Sequence, residues 1–169
     1  ESSAASDVYK RQWDDYELQE KYSKLALEVA LKQNNPNLIF ASYMSIGYMY
    51  EQKFMQNEKN IFVRDLAEKY YTNAINTYYK NKSEMATATN LSFVAINLAN
   101  LHLQFYPKNY QGKVIKYAYL AKEIAEQNHQ SDHVAAANGI LAELSLQNNE
   151  VSTAKNYLLL SLIHISEPT

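Results

Sequence analysis

Cysteine is absent from this chain of 169 residues, and glycine and proline each occur only three times. Without cysteine, the chain forms no disulfide bond, offers no thiolate nucleophile and provides no cysteine ligand for a metal ion. Three scattered glycines cannot build the glycine-rich loops that bind phosphate groups. Because tight turns depend largely on glycine and proline, their scarcity argues against a fold of many short strands and favours long helices.

A strong charge of either sign is also absent, since 16 Lys and Arg residues and 18 Asp and Glu residues give a formal net charge of −2. A chain so near neutrality has no general attraction for nucleic acid or for an anionic membrane surface. No segment approaches the unbroken apolar run of a membrane-spanning helix, and no signal peptide is visible. We therefore predict no nucleic-acid contact and no membrane segment in this chain. The choice between a cytoplasmic and a periplasmic location stays open.

The residues that are present suit a globular core, with 47% hydrophobic and 20% charged residues. Apolar residues recur at steps of three and four along most of the chain, which indicates amphipathic helices. Asn34, Asn35 and Pro36 end the first helix, because proline cannot continue the helical hydrogen bonds. The same reasoning predicts seven helices, over residues 13–33, 37–54, about 61–80, about 84–105, about 113–128, about 132–146 and from about 150 onward.

The two ends of the chain differ from the rest. The chain begins without Met, and residues 1–12 and 161–169 both resemble translated sequencing-adapter remnants. We therefore predict that residues 1–12 are a non-native, disordered segment, that residues 13–160 form the helical domain, and that residues 161–169 are a second non-native segment. On this interpretation the chain is an internal fragment of a longer protein. The alternative is a natural disordered start and a natural last helical turn.

The helices themselves repeat. The second helix of each hairpin carries a small residue at the same contact position, namely Ala26, Ala74, Ala121 and Ser161. The first helices carry a matching pair, namely Ile46-Gly47, Leu98-Ala99 and Leu141-Ala142. Three residues after each pair come Tyr50, His102 and Ser145. A period of about 40 to 48 residues, with small side chains where helices must approach closely, is typical of stacked helical hairpins.

One family has this pattern. The residues that match in type are Tyr43, Ile46, Gly47, Tyr50, Ala67, Tyr71 and Ala74. They resemble the signature of the tetratricopeptide repeat family, over roughly residues 14–160. The resemblance implies an all-α fold, an α-α superhelix of about three and a half hairpins. The chain departs from the family by about eight extra residues near 56–62 and by longer connections between hairpins, so a generic helical bundle remains the alternative.

In the family, the first helix of each hairpin lines a concave groove that binds an extended peptide or a partner helix. The corresponding positions here are Met44, Tyr48, Glu51 and Gln52, then Phe93, Asn97, Asn100 and Gln104, and then Gly139, Ile140, Glu143 and Gln147. Such an amide-rich groove suits hydrogen bonding to a peptide backbone. The resemblance therefore implies a protein or peptide ligand, no catalytic residues, no metal and no cofactor. An ordinary solvated face is the alternative.

Other functions have weaker support in the sequence. His129, Asp132 and His133 have the spacing of metal ligands and would serve a helical enzyme, but they straddle a turn, whereas zinc needs three or four converging ligands. His102 falls at a helix contact and is interpreted as a packing residue. A basic cluster, made of Lys108, Lys113 and Lys116, has no interleaved aromatic residues to mark a phosphate site. An RNA-binding helical repeat would need a basic stripe, which is missing.

Two further expectations concern packing and context. Of the 15 Tyr residues, those at inter-helix positions are expected in the core, namely Tyr43, Tyr50, Tyr71 and Tyr117. The richness in Tyr, Asn and Lys resembles the sensory repeat regions of bacterial regulators, in which a membrane helix and a DNA-binding or kinase domain follow the array. A truncated array lacks its polar end repeat, so Leu158, Leu159 and Leu160 should be exposed. A structural scaffold or oligomerisation array is the alternative.

Overall fold

The structure, a computed structural model, describes the backbone of residues 2–166 and the side chains of residues 16–162. Within that range it contains seven α-helices and no strand, so the all-α prediction is confirmed. The helices are α1 (Ser2–Lys32), α2 (Pro36–Gln56), α3 (Ile61–Lys80), α4 (Thr89–Phe105), α5 (Gln111–Gln127), α6 (Ser131–Gln147) and α7 (Val151–Ser166). Two single 3-10 turns, Lys82–Glu84 and Lys108–Tyr110, lie before α4 and before α5.

The first helix starts earlier than the sequence predicted. It begins at Ser2 rather than at Trp13, where the sequence predicted its start. Residues 1–12 contain neither glycine nor proline, so no helix breaker separates them from the rest of α1. The prediction that both ends are non-native stays a prediction, and part of it, at residues 1 and 167–169, lies outside the described residues.

Three of the turns between helices share one backbone feature. Asn34, His129 and Asn149 have positive φ angles of 50°, 54° and 62°. Helices commonly end at a residue in this left-handed conformation. Asn and His adopt it more readily than most other residues do. Each of these residues lies between two consecutive helices, so the chain reverses within a few residues without using glycine.

The start of α2 is fixed by local hydrogen bonds. The Asn35 side chain accepts hydrogen bonds from the backbone N–H groups of Asn37 and Leu38, at 3.1 and 3.2 Å. Pro36 follows as the first helical residue, where its missing N–H leaves no helical hydrogen bond unmade. The turn predicted from Asn34, Asn35 and Pro36 is therefore confirmed.

The chain divides into two compact units, Glu1–Glu84 and Met85–Thr169. In the first unit, α2 packs against both α1 and α3. Gly47 lies against the ring of Tyr71, which is fully buried on α3. The close approach expected at this glycine is confirmed. The buried apolar side chains around it are Phe40, Ile46, Met49, Phe54, Ala67 and Ala74.

In the second unit, α4 packs on α5, α5 on α6 and α6 on α7, and α4 also contacts α6. Two hairpins, α4 with α5 and α6 with α7, therefore lie side by side, with their first helices as neighbours. The small residues predicted at close contacts are buried here, namely Ala99, Ala121 and Ala142. The Ser161 hydroxyl donates to the backbone oxygen of Ala135 at 3.2 Å.

The contact predicted at Ala26 is wrong. Ala26 was expected to be buried like Ala74 and Ala121, but it is exposed. Ala26 shares a helical face with Ala30, which is buried one turn later. Unlike Ala30, however, Ala26 is left exposed where it borders a cavity of about 440 Å³ between α1 and α2, whose lining includes Leu38 and Ser42. Among the described residues, no helix has the length and hydropathy that a membrane crossing requires.

Candidate functional site

The predicted groove residues of the first unit lie along one side of α2. Met44, Tyr48 and Gln52 are four residues apart and therefore share one helical face. Tyr48 is 45% exposed, Gln52 is exposed and Met44 is half-buried. These three side chains are accessible, as a binding surface requires.

Glu51 does not belong to this accessible face. Its residue is only 7% exposed, and its Oε2 accepts a hydrogen bond from the hydroxyl of buried Tyr71. Burial raises the pKa of the Glu51 carboxyl, and the hydrogen bond from Tyr71 opposes that rise. The groove assignment of Glu51 is therefore wrong. The physical reason is the close packing of α3, since Gly47 leaves room for the Tyr71 ring to reach across α2.

The predicted residues of α4 share one face of that helix. Asn97, Asn100 and Gln104 follow at intervals of three and four residues, with Phe93 one turn earlier. Gln104 is exposed and the other three are half-buried. The face therefore presents mostly amide groups.

On α6 the predicted set divides. Glu143 and Gln147 are exposed, and Gly139 is half-buried. Ile140 is 5% exposed, so its assignment to the groove is wrong. It lies three residues after Ala137 and four before Leu144, both of them buried, and this spacing places it on the core side of the helix.

The second unit thus brings two of the predicted sets onto neighbouring helices, because α4 contacts α6. Their accessible groups are amides and one carboxylate, which together offer both hydrogen-bond donors and acceptors. We refer to the following residues as the α4–α6 surface: Asn97, Asn100, Gln104, Glu143 and Gln147.

A charged cluster joins α1 to α2 in the first unit. Glu20 accepts hydrogen bonds from the Tyr50 hydroxyl at 2.7 Å and from Lys24 Nζ at 2.6 Å, and Lys53 Nζ lies 3.5 Å from its other oxygen. Burial, followed by the hydrogen bond to Glu20, raises the pKa of Tyr50 to about 12. Burial also works to raise the pKa of Glu20, but the Lys24 and Tyr50 hydrogen bonds outweigh it, and that pKa is lowered.

Sequence reasoning missed this cluster. The spacing of Glu20 and Lys24, four residues apart on one helix, was the available signal. Nothing in the sequence showed that Tyr50, thirty residues later, would share the carboxylate. With its charges paired and its hydroxyl bonded, the cluster acts as a link between two helices.

His102 is buried among aromatic rings, so its interpretation as a packing residue is confirmed. Its ring centroid lies 4.4 Å from that of Tyr106, 5.8 Å from that of Tyr110 and 5.9 Å from that of Tyr117. Two of the three lysines predicted to lack interleaved aromatic residues lie against a ring. Lys113 Nζ lies 5.0 Å from the Tyr110 centroid, and Lys116 Nζ lies 5.4 Å from that of Tyr117. That part of the sequence interpretation is wrong, because rings before and within α5 turn toward the lysines.

The turn that carries His129, Asp132 and His133 does not gather them around one point. Nδ1 of His133 lies 2.6 Å from Oγ of Ser92 on α4, whereas His129 and Asp132 are exposed. Among the side chains that the structure describes, no group of three or more His, Cys, Asp or Glu residues could hold a metal ion.

A cavity of about 330 Å³ lies within the first unit. Its walls come from the turn after α1, from α2, from the end of α3 and from the 3-10 turn Lys82–Glu84. Sequence reasoning missed it, because no contiguous motif contains these residues. The lining residues are Leu31, Asn34, Pro36, Ile39, Tyr43, Asn73, Asn76, Thr77, Lys80, Asn81 and Glu84.

Comparison of the chain with models of protein families, with curated proteins and with solved structures gave no match. A functional proposal therefore depends on the sequence pattern and on the geometry described above.

Proposed function

We propose that this chain is a protein- or peptide-binding helical repeat module, with no catalytic residues of its own. The observation that carries the proposal is the α4–α6 surface, where two contacting helices present accessible amide and carboxylate groups. A peptide backbone alternates N–H donors and C=O acceptors, and side-chain amides match both. The ligand that suits this surface is a polar or extended segment of another protein.

The packing of the hairpins supports the repeat interpretation. Gly47 and Tyr71 meet at the positions that match the tetratricopeptide signature. Ala99 and Ala142, which align with Gly47, are buried in the second unit, and so is Ala121, which aligns with Ala74. One hairpin cannot cover its own apolar face, so such hairpins stack and share a core. We propose that they form an α-α superhelix, in which the first helices line the binding surface.

A wider context belongs to the same proposal. The chain would be part of the sensory or interaction region of a larger bacterial signalling regulator. Support comes from the composition, which is rich in Tyr, Asn and Lys. Amplification of genomic DNA outward from the coding region of residues 14–160 tests this point. The reading frame should continue on both sides, and a gene that starts at residue 1 and stops after residue 169 would contradict it.

The binding proposal is tested by selecting peptides from a displayed random library against the full chain. We expect enriched peptides, and the triple variant Asn97→Ala, Asn100→Ala, Gln104→Ala should weaken their binding by at least about tenfold, since each lost hydrogen bond costs about 1 kcal/mol. Lys155→Ala, at an exposed position of α7, is the matched control and should leave the affinity unchanged. If no peptide is enriched, or if the triple variant binds as well as the control, the proposal fails.

A structural scaffold or oligomerisation array is the second candidate. It is favoured by the apolar surface of α7, where Leu158, Leu159 and Leu160 are exposed, as the sequence predicted. Large apolar side chains exposed close together can take part in an interface between proteins. A stable dimer in sedimentation, together with a peptide selection that yields no binder, would favour this candidate over the first.

A further inference from the structure

The cavity of the first unit has the dimensions of a small-molecule site. Its volume of about 330 Å³ lies within the range of ligand pockets, roughly 300–1,000 Å³. All its lining residues belong to the first unit. It is therefore separate from the α4–α6 surface, and an inference about it does not depend on the proposed function.

Hydrogen bonds hold the walls of the cavity in place. The Asn37 side chain donates to the backbone oxygen of Glu84 at 3.0 Å, which ties the 3-10 turn to the start of α2. Asn81 donates to the backbone oxygen of Thr77 at 2.9 Å, and the Thr77 hydroxyl donates to that of Asn73 at 2.8 Å. A pre-formed site loses less entropy when a ligand binds than a site that must first order.

One wall presents polar side chains that are available to a ligand. Asn73, Asn76 and Lys80 are spaced three and four residues apart, so they share one face of α3. Within the part of the chain whose side chains are described, these three side chains make no hydrogen bond or ion pair. Each amide can donate to a carbonyl oxygen and accept from an N–H group, which are the two groups of a peptide bond.

The charged residues of the lining also favour a ligand with the groups of a peptide. Lys80 and Glu84 both line the cavity, and within the described side chains they do not pair with each other. A ligand that carries one negative and one positive group would satisfy both. A lining with one charge of each sign offers no excess of positive charge to a polyphosphate and no excess of negative charge to a metal ion.

The opposite part of the lining contains three apolar residues, Leu31, Pro36 and Ile39, which can contact an apolar side chain, and one further polar residue, Asn34. The aromatic ring of Tyr43 packs against Tyr70, with centroids 6.1 Å apart. That ring is therefore already engaged on α3, which makes the cavity less suited to stacking a sugar.

We propose that this cavity binds a short peptide with free termini and an apolar side chain. Lys80 binds the carboxylate, Glu84 binds the ammonium group, and Asn73 and Asn76 bind the peptide bond. The apolar wall takes the side chain.

Calorimetric titration of the full chain with the dipeptide leucyl-leucine tests the proposal. The wild-type chain should bind the free dipeptide, and the form blocked by acetylation and amidation should bind at least about tenfold more weakly, because it loses both charge-assisted hydrogen bonds. Lys80→Gln should weaken binding of the free dipeptide by a similar factor, and Glu84→Gln should do the same through the ammonium group. Lys69→Gln, an exposed lysine of α3 outside the cavity, is the matched control and should change nothing.

Circular dichroism of each variant verifies that it is folded. No binding of leucyl-leucine, equal binding of the blocked form, or equal effects of Lys80→Gln and Lys69→Gln would each overturn the proposal. Binding of maltose with higher affinity than the dipeptide would also overturn it, in favour of a sugar site. The triple variant of α4 should bind leucyl-leucine normally, so failure of this site and failure of the proposed function are told apart.

Discussion

Because Gly47 has no Cβ atom, α2 can approach the Tyr71 ring of α3 closely. A Cβ atom there would lie 2.6 Å from Cδ1 of Tyr71, whose ring is fully buried and whose hydroxyl is bonded to Glu51. The ring cannot move aside without breaking that hydrogen bond. We expect Gly47→Ala to lower the free energy of unfolding by about 1–3 kcal/mol, because overpacking outweighs the helix preference of alanine. Urea denaturation measures this change.

Gly139 supplies the matched control within α6. A Cβ atom there would meet nothing within 4 Å, so Gly139→Ala should raise the free energy of unfolding by about 0.5–1 kcal/mol. Opposite signs for the two variants are the expected result. Stabilisation by both would contradict the close contact between Gly47 and Tyr71.

Glu51 gives the stability a dependence on pH. Burial raises the pKa of its carboxyl in the folded chain, so the folded state holds the proton more tightly than the unfolded state does. The stability that Glu51 confers is therefore present below its unfolded pKa and is lost as the pH rises through its folded pKa. We expect Glu51→Gln to be more stable than the wild type at pH 7, by on the order of 1 kcal/mol. Unfolding measured from pH 4 to pH 8 should show a flatter dependence for the variant.

The Glu51→Gln amide can still accept the Tyr71 hydrogen bond, so the comparison isolates the buried charge. Glu58→Gln, at an exposed position after α2, should leave the pH dependence as it is in the wild type. A destabilised Glu51→Gln variant at pH 7 would show that the ionised carboxylate is favourable where it lies.

At the scale of single residues, the sequence predicted which residues lie between helices better than it predicted which residues are exposed. Gly47 and three of the four inter-helix tyrosines, Tyr50, Tyr71 and Tyr117, are placed as predicted, because small and large residues recur at helical spacing. Tyr43 is wrong, since it is only half-buried. Glu51 and Ile140 could not be placed, because each lies at the boundary between the core side and the exposed side of its helix. A carboxylate becomes tolerable in the core only through a partner on another helix, here Tyr71, and helical periodicity alone does not identify that partner.

Among the elements, α2 offers the clearest test of a helix start. The Asn35 side chain satisfies two N–H groups of the first turn. Asn35→Ala should therefore lower the free energy of unfolding by about 1 kcal/mol, whereas Asn35→Asp should keep most of the stability. Thermal and urea unfolding of the two variants measure the difference.

Asn60, the corresponding residue before α3, accepts a single and longer hydrogen bond, at 3.4 Å from the N–H of Val63. Asn60→Ala should cost less than Asn35→Ala. An equal loss of stability at both positions would indicate that the second, shorter hydrogen bond of the Asn35 cap adds nothing to the free energy of unfolding.

Helix existence was predictable here, and helix ends were predictable where a breaker marks them. The turn around Pro36 was found from three residues, because proline and asparagine each act locally. The start of α1 was not found, because residues 1–12 contain no breaker and the predicted end depended on an unusual sequence rather than on a physical stop signal.

For the whole molecule, the exposed apolar side chains of α7 bear on its behaviour at high concentration. Leu158, Leu159 and Leu160 are 47%, 49% and 39% exposed. We expect the chain to self-associate as its concentration rises, since these side chains lose contact with water when they are covered. Replacement of all three with Gln should restore a monomer, as measured by sedimentation velocity. A wild-type chain that stays monomeric at high concentration would contradict this expectation.

The cavity lined by Lys80 and Glu84 shows why some sites cannot be predicted from the sequence. Its lining comes from four separate segments, and only the packing of α3 against α2 brings Lys80 near Pro36. The α4–α6 surface was predictable in part, because each of its faces belongs to one helix and follows one spacing. A cavity between elements depends on how the elements meet, which no single helix encodes.

Within each unit, the packed helix pairs described above are consecutive in the chain or separated by a single helix. Contacts of this kind close short loops, and proteins that depend on them fold quickly because little chain entropy is lost before each contact forms. Folding can begin in any hairpin and spread to its neighbour. A pulling force on the two ends should accordingly release the structure in steps of one hairpin at a time, beginning with the outermost helices.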